Sequence, residues 1–252
     1  MVNIRSKGEI DRIGKSGRVV FDTLNLLENY IVPGSTGEEL NRLAEEYIRS
    51  QGYVPAFNGY MGYPATLCVS INDAVVHGIP DRRQFRDGDI VSIDCGVVKD
   101  GYYGDSARTF AVGEVSEEVE KLLDVTEKSL YRGIEKAVVG NHVSDIGHSI
   151  QEYVEEFGFS IVRELVGHGI GTELHEEPQI PNFGEPGRGT ILKEGMCLAI
   201  EPMVNLGLKE IYTKPDGWTI CTKDGKPSAH FEHTVVVTSD EARILSNGTL
   251  DG

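Results

Sequence analysis

The chain has 252 residues, of which 39% are hydrophobic and 25% are charged, and its formal net charge is −16. This length suits one large domain that buries its own core without stabilising cross-links, and the ordinary composition excludes disordered and membrane-protein classes. The acidic balance argues against a nucleic-acid partner, because such binding depends on Lys and Arg that neutralise phosphates.

Targeting signals and cysteine motifs are weak in this sequence. No apolar run approaches the roughly 20 residues of a membrane-spanning helix, and residues 1–12 lack the pattern of a signal peptide. We therefore expect a cytoplasmic protein without membrane contact. The four cysteines form no C-x-x-C pair and are predicted to be reduced, buried thiols; they are Cys68, Cys95, Cys197 and Cys221.

The first half of the chain is predicted to contain two helices followed by short strands. Apolar residues at helical spacing predict a helix over 10–31. Thr36 and Glu39 form a capping box for a second helix, which Gly52 ends. The predicted strands cover 66–71, 90–97 and 102–112, and the last two are joined as a hairpin through Lys99, Asp100 and Gly101.

The same order of elements is predicted again in the second half. Helices are expected over 117–138 and 144–157, with strands near 160 and 196 and from 219 onward. The last strands are predicted to pair as a hairpin of residues 219–222 and 228–238, with a turn at Asp224 and Gly225. This hairpin would carry Glu232 in its second arm.

When the two halves are aligned with an offset of 106 residues, the glycines that end their helices coincide. Gly34 then falls on Gly140, and Gly52 falls on Gly158. We interpret this as one domain, residues 1–252, that contains an internal duplication of an α+β unit over approximately 10–112 and 117–238. A site on the pseudo-two-fold axis would take residues from both halves.

Three acidic residues interrupt predicted hydrophobic strands: Asp94, Glu201 and Glu232. An ionised carboxylate in such a place is costly unless a partner compensates it, and a divalent cation is such a partner. Together with Asp105 and His168 these acids are predicted to form a metal site. Four carboxylates exceed what one catalytic ion usually takes, so we expect two ions that clamp the oxygens of a hydrolytic reaction.

Three histidines lie in or near glycine-rich stretches that allow close approach of a ligand: His77, His168 and His175. The loop that carries His168 and His175 can present both of these imidazoles toward one cleft. For His142, His148 and His230 we expect ordinary surface or hydrogen-bonded core positions.

Six motifs in this chain resemble those of type I methionine aminopeptidases, in the same order and over nearly the whole length. They are HGIP at 77–80, SIDCG at 92–96, GDSART at 104–109, GHGIG at 167–171, AIEPM at 199–203 and EHT at 232–234. The resemblance implies the α+β "pita-bread" fold of creatinase and aminopeptidase, with two pseudo-symmetric halves around a central curved antiparallel sheet and helices outside. It also implies removal of the initiator methionine from nascent proteins whose second residue is small, by attack of a metal-bridging water or hydroxide.

The resemblance also implies a role for each site residue. Asp105 and Glu232 would bridge two divalent ions of Co, Mn, Fe, Zn or Ni, with His168 and Glu201 completing one site and Asp94 the other. Glu201 would also act as the general base. His77 would contact the substrate beyond the scissile bond, and His175 would hydrogen-bond the carbonyl or developing oxyanion.

The implied methionine pocket is apolar and adaptable. Tyr60, Tyr63, Cys68 and Trp218 match its positions, whereas Leu174 stands where bacterial members often have an aromatic residue. Asn72 and Ser228 match positions that help to bind a structural Na or K ion. From sequence alone, Trp218 could equally belong to the core.

The resemblance favours a compact, monomeric, bacterial-type enzyme without the Cys-rich N-terminal extension of eukaryotic members. Transient contact with the ribosome would have to use local basic residues such as Arg82, Arg83 and Arg86. Two alternatives stay open at this point. One is an aminopeptidase P or prolidase, which has the same fold and ligand types but acts on X-Pro bonds, and the other is a non-catalytic binding module on this scaffold.

Overall fold

The computed structural model describes residues 2–248. The first half contains two helices and five strands. These are α1 (Lys7–Glu28), α2 (Gly37–Ser50), β1 (Val54–Pro55), β2 (Leu67–Ile71), β3 (Ala74–Val76), β4 (Ile90–Lys99) and β5 (Tyr102–Ala111), with a short 3-10 turn at Tyr60–Gly62 before β2.

The second half again begins with two helices and continues with strands. Its helices are α3 (Glu117–Ile134) and α4 (Val143–Glu156). Its strands are β6 (Ser160–Ile161), β7 (Gly167–Gly169), β8 (Glu176–Ile180), β9 (Cys197–Ile200), β10 (Met203–Asn205), β11 (Ile211–Thr213), β12 (Ile220–Thr222), β13 (Ser228–His230), β14 (His233–Val236) and β15 (Arg243–Ile244).

Capping determines where the helices begin. Helix α1 starts three residues earlier than predicted, because Ser6 and Glu9 form a capping box in which the Ser6 amide donates to Glu9 Oε2 at 2.9 Å. The predicted Thr36 and Glu39 box is confirmed at the start of α2. Helix α3 ends at Ile134, earlier than expected, because the chain beyond it pairs with the C-terminal segment: the Val139 amide donates to the Thr238 carbonyl at 3.1 Å.

The predicted hairpin of the first half is confirmed. Strands β4 and β5 pair antiparallel from Ile90 with Ala111 to Lys99 with Tyr102. Asp100 and Gly101 form the two-residue turn, both with positive φ (51° and 78°), which matches the twist of the flanking strands.

The predicted C-terminal hairpin is wrong. Strand β12 pairs with β3 and β11, whereas β13 pairs with β10, so the two segments lie in different sheets. The chain then breaks at Phe231 and Glu232, and β14 pairs with β9 and β15. The reason is long-range: the Glu232 amide donates to Ala107 on β5 at 2.9 Å, which bends the chain toward the first half.

The strand pairs within these sheets are antiparallel, and the two halves meet along β5 and β14. Thr234 Oγ1 donates to the Asp105 carbonyl at 2.7 Å, and Ser106 Oγ donates to the Glu232 carbonyl at 2.5 Å. The apolar core of the first half lies between α1, α2 and the sheet that contains β2 and β4. The core of the second half lies under α3 and α4. Helices thus cover the outer faces of the sheets, as the resemblance implied.

Candidate metal centre and adjoining cleft

The five predicted ligands converge from separate strands where the two halves meet. Asp94 and Asp105 lie on β4 and β5, His168 lies on β7, Glu201 directly follows β9, and Glu232 lies between β13 and β14. One ligand atom from each of Asp105, His168 and Glu232 lies within 4.8 Å of the other two. His168 Nε2 is 3.4 Å from Glu201 Oε1. The break between β13 and β14 therefore places Glu232 in the cluster.

Buried carboxylate atoms in this cluster lack hydrogen-bond partners. Asp105 and Glu232 are only 3% and 2% exposed. Asp94 Oδ1, Asp105 Oδ1 and Glu232 Oε1 are all buried without any donor. Such groups are costly unless a cation compensates them, so the residues present fit a divalent metal site.

Burial, together with repulsion between neighbouring acids, raises the pKa values of the carboxyl groups in this cluster. Burial raises the pKa of Asp94 to about 7 and that of Glu201 to about 8. Burial and the neighbouring carboxylates raise the pKa of Asp105 and of Glu232 well above the usual range. Burial lowers the pKa of His168 to about 3, so this imidazole is neutral at pH 7 and can act as a ligand.

The two other predicted histidines border the cluster. His175 Nδ1 and the Tyr60 hydroxyl are joined by a hydrogen bond of 2.8 Å. The His175 ring centroid lies 4.3 Å from that of His168. Burial lowers the pKa of His77 to about 4 and also lowers that of His175, so both are neutral near pH 7. His77 has φ 58°, an uncommon value for a residue other than glycine.

A small, partly apolar cavity of about 180 Å³ opens directly onto the carboxylates. The pocket residues expected from the resemblance line it: Tyr60, Tyr63, Cys68, Leu174 and Trp218. The Tyr63 hydroxyl donates toward the carbonyls of Leu67 and Gly78, at 3.0 and 2.8 Å, which holds the ring edge-on to Trp218 with centroids 5.1 Å apart. Trp218 is thus a pocket wall. Cys68 carries a buried thiol, as predicted.

Sequence reasoning missed two further residues of this pocket, Phe57 and Met61. Met61 stands at the rim with 82% of its surface exposed and a φ of 50°. Both residues belong to an irregular segment around the 3-10 turn, where no periodicity marks which side chains face inward. The two glycines at 59 and 62 were the signal in the sequence that indicated a tightly folded loop.

A wider cleft of about 650 Å³ continues outward from the cluster. His77, His168, His175 and Glu201 line its inner end. Its outer wall includes residues from the N-terminal segment, from the loop before β8 and from the start of β8: Asn3, Thr172, Glu173 and Glu176. An extended peptide whose first side chain fills the small cavity would continue along this cleft.

The expectation for His230 was wrong. Its side chain is 2% exposed, its Nε2 has no hydrogen-bond partner, and that nitrogen lies 3.6 Å from Glu201 Oε2. The signal was its position in the sequence, two residues before the predicted ligand Glu232. The expectations for the other two histidines are confirmed, since His142 precedes α4 as its cap and His148 hydrogen-bonds the Gly184 carbonyl at 3.2 Å.

Asn72 and Ser228 lie in contact, away from the carboxylate cluster. The Ser228 amide donates to the Asn72 carbonyl at 2.9 Å. The Asn72 side chain bonds Asp89 and the Ile90 amide, and the Ser228 hydroxyl donates to Asn205 Oδ1 at 2.8 Å. Both side chains therefore already have protein partners, and the monovalent cation site stays a prediction that would depend on backbone carbonyls.

The class of protein that this fold and cluster define is a metal-dependent peptidase. Residues 11–239 match the sequence profile of "Metallopeptidase family M24". The chain therefore belongs to this family.

Similarity to particular members extends over the whole chain. It is 52% identical over 246 residues to a methionine aminopeptidase of Clostridium perfringens, covering 98% of this chain and 99% of that protein. A crystal structure of methionine aminopeptidase from Thermotoga maritima superposes with a TM-score of 0.96 at 46% identity, covering 98% of this chain and 99% of the other.

The alternative that shares this fold, a prolidase, is structurally more distant. A prolidase from Pyrococcus furiosus superposes with a TM-score of 0.78 at 26% identity. The match covers 96% of this chain but only 65% of the prolidase.

Among residues 2–248, no helix combines the length and apolarity needed to cross a bilayer.

Proposed function

We propose that this chain is a methionine aminopeptidase that removes the N-terminal methionine from polypeptides whose second residue is small. The observation that carries the proposal is the small cavity lined by Tyr63, Leu174 and Trp218, which opens onto the buried carboxylates. A thioether side chain binds in such a cavity by dispersion and by contact with aromatic edges. Nascent chains present this methionine in the cytoplasm, where the enzyme would act.

Five residues would hold two divalent ions. They are Asp94, Asp105, His168, Glu201 and Glu232, all of which line the small cavity. Partnerless buried oxygens on Asp94, Asp105 and Glu232 support this assignment. When bound, such ions lower the pKa of a coordinated water toward 7 and polarise the scissile carbonyl.

The remaining chemistry belongs to side chains around the ligands. Glu201, which lines both the small cavity and the wider cleft, would take a proton from the attacking water and deliver it to the leaving amine. Neutral His175, held through Nδ1 by Tyr60, would donate from Nε2 to the oxygen that becomes negative in the tetrahedral transition state. His77 would contact the peptide beyond the scissile bond, where the outer cleft begins.

A peptide panel tests the assignment directly. Metal-loaded protein should hydrolyse Met-Ala-Ser and should leave X-Pro peptides intact. Hydrolysis of the X-Pro peptides alone would replace the proposal with a prolidase-type function. Loss of activity with a chelator and recovery with added Mn, Fe or Co would separate a metal-dependent peptidase from a binding module.

The identity of the physiological ion requires a separate measurement. Carboxylate-rich sites accept several first-row ions, and availability decides among them. Metal analysis of protein purified without oxygen, paired with activity for each ion added to metal-free protein, identifies the ion used. We expect the metal analysis to find two ions per chain.

Contact with the ribosome stays a prediction. Arg82 is paired with Glu38 at 2.9 Å, and Arg83 lies 3.6 Å from Asp89, so both guanidinium groups already face carboxylates. Cosedimentation with ribosomes at low and high salt tests the contact. Association that disappears at high salt and in an Arg86→Glu variant would support it, and the absence of cosedimentation at low salt would contradict it.

A further inference from the structure

An ion pair lies beside the proposed active site and joins the N-terminal segment to Glu176, the residue of β8 that directly follows the loop. Arg5 Nη2 contacts both carboxylate oxygens of Glu176, one of them at 2.6 Å. The two side chains are only 7% and 5% exposed, although the pair lies next to the open cleft. Surface ion pairs of this chain, such as Arg42 with Glu46, are about 60% exposed on both sides.

The Glu176 carboxylate organises the whole loop. It accepts hydrogen bonds from the Thr172 amide at 2.8 Å and the Glu173 amide at 3.0 Å. Asn3 Nδ2 donates to its other oxygen at 2.7 Å. One carboxylate therefore ties together both ends of the 172–176 loop and two residues of the N-terminal segment.

The N-terminal segment is itself fixed to the second half. The Arg5 amide donates to the Gly195 carbonyl at 2.9 Å, and Arg5 Nη2 lies 3.3 Å from Thr172 Oγ1. The guanidinium also packs on the backbone of Gly171, where an added Cβ would overlap it. Glycine at 171 thus permits the close approach that the ion pair needs.

This loop carries two residues of the proposed site. Leu174 is 1% exposed and lines the small cavity, and His175 faces the carboxylate cluster beside His168. Neither residue lies in a helix or strand, so regular backbone hydrogen bonds do not hold them. Their positions depend on the turn that Glu176 closes.

We propose that Arg5, Asn3 and Glu176 form a clamp whose role is to position His175, and with it Leu174, for the reaction. Arg5 and Glu176 are positioning residues, because they act through His175 and do not touch the reacting atoms. The inference rests on the proposed function, since it assigns His175 a role in turnover. A displacement of about 1 Å at such a residue can cost on the order of 100-fold in rate.

The test compares Arg5→Ala, Arg5→Lys and Glu176→Gln with Arg42→Ala, which removes an exposed ion pair on α2. For each variant kcat and KM on Met-Ala-Ser are measured per metal-loaded molecule, well below the melting temperature. We expect Arg5→Ala and Glu176→Gln to lower kcat about 10- to 100-fold, with a smaller change in KM and unchanged metal content. Arg5→Lys should recover part of the loss, and Arg42→Ala should match the unmodified chain.

Hydrogen exchange supplies a readout that does not depend on activity. The amides of residues 171–176 should exchange faster in Arg5→Ala than in the unmodified chain, and those of β4 and β5 should not. Normal kcat in Arg5→Ala, or unchanged exchange at 171–176, would overturn the clamp. Inactivity of the unmodified chain toward Met-Ala-Ser would instead overturn the proposed function, and the exchange measurement would still decide whether the clamp exists.

Discussion

At the scale of single residues, the carboxylates of the cluster and the histidines beside it have different proposed roles. The carboxylates would bind metal, and the histidines would contact the substrate. Asp105 and Glu232 are buried without donors and need a cation. His175 is neutral and linked to Tyr60, an arrangement suited to donating one hydrogen bond to a substrate. Metal retention and turnover should therefore separate when these residues are changed one at a time.

Asp105→Ala and Glu232→Ala are expected to abolish metal retention and with it activity, because each removes a buried carboxylate proposed to bind metal. His175→Ala is expected to retain two ions per chain and to lose about 100- to 1000-fold in kcat, the usual cost of one oxyanion donor. Metal content after gel filtration and kcat on Met-Ala-Ser measure the two properties.

His148→Ala is a suitable control for these variants, since His148 bonds a loop carbonyl outside the cluster. It should keep both the metal and the activity. Full metal content together with normal turnover in Asp105→Ala would contradict the two-ion account.

At the scale of elements, close backbone packing seats α1 on the sheet. A Cβ on Gly17 would overlap the Leu245 carbonyl oxygen, and one on Gly104 of β5 would overlap the Gly17 backbone. Glycine at 104 lets the strand that carries Asp105 approach α1 closely, and glycine at 17 lets α1 approach the segment that follows β15. Gly8, in the first turn of the same helix, has no such neighbour within 4 Å.

Gly17→Ala is expected to destabilise the protein by about 1–3 kcal/mol, because the new methyl group must displace backbone. Gly8→Ala is the matched control and should be neutral or stabilise by up to about 1 kcal/mol, since alanine favours helix and meets open space. Urea denaturation of both variants measures the difference. Equal stability of the two variants would show that α1 does not depend on this contact.

The repeated order of elements supports the duplication that the sequence suggested. Helices α1 and α2 end at Glu28 and Ser50, and α3 and α4 end 106 residues later, at Ile134 and Glu156. Gly34 and Gly140 have φ of 96° and 93°, and Gly52 and Gly158 have 75° and 81°. We propose that residues 10–112 and 117–238 are duplicated halves of one catalytic domain. If one rotation of the first half onto the second superposes both the helix pairs and the ligand-bearing strands, the duplication is supported. If helices and strands need different rotations, it is contradicted.

At the scale of the whole molecule, the site joins the two halves and concentrates negative charge between them. The pKa values of Asp94 and Glu201 are raised to about 7 and about 8, so the folded metal-free protein holds protons that the unfolded chain releases near pH 4. Stability from these groups is therefore present at low pH and is lost as pH rises through 7 and 8. His77 and His233, with pKa values lowered to about 4, act in the opposite direction between pH 6.5 and 4.

We expect the metal-free protein to lose stability between about pH 6.5 and pH 8.5, where only the carboxylates contribute. Divalent metal should remove this loss, because the ions replace the protons, so the rise in melting temperature on adding Mn or Co should grow with pH. Thermal denaturation across this range, with and without metal, measures the effect. Asp94→Asn should make the metal-free curve flatter; a metal-free melting temperature that increases steadily up to pH 8.5 would contradict the account.

The sequence by itself determined the helices, the β4–β5 hairpin and the five residues of the cluster. Helical periodicity, capping boxes and the Asp100–Gly101 turn are local signals, and three of the four acids stood out because they interrupt apolar strands. The motifs around these acids showed the resemblance of the chain to methionine aminopeptidases. That resemblance in turn implied the residues of the methionine pocket. Each of these signals lies within a few residues along the chain.

Only the tertiary structure decided which segments meet. Strands β12 and β13 pair with β3 and β10 and not with each other, β14 pairs with β9, and His230 lies 3.6 Å from Glu201. Arg5 reaches Glu176 across 171 residues of sequence. Local periodicity fixes the type of an element, whereas its partner depends on the packing of the whole chain and on buried polar groups that must find donors, acceptors or a cation.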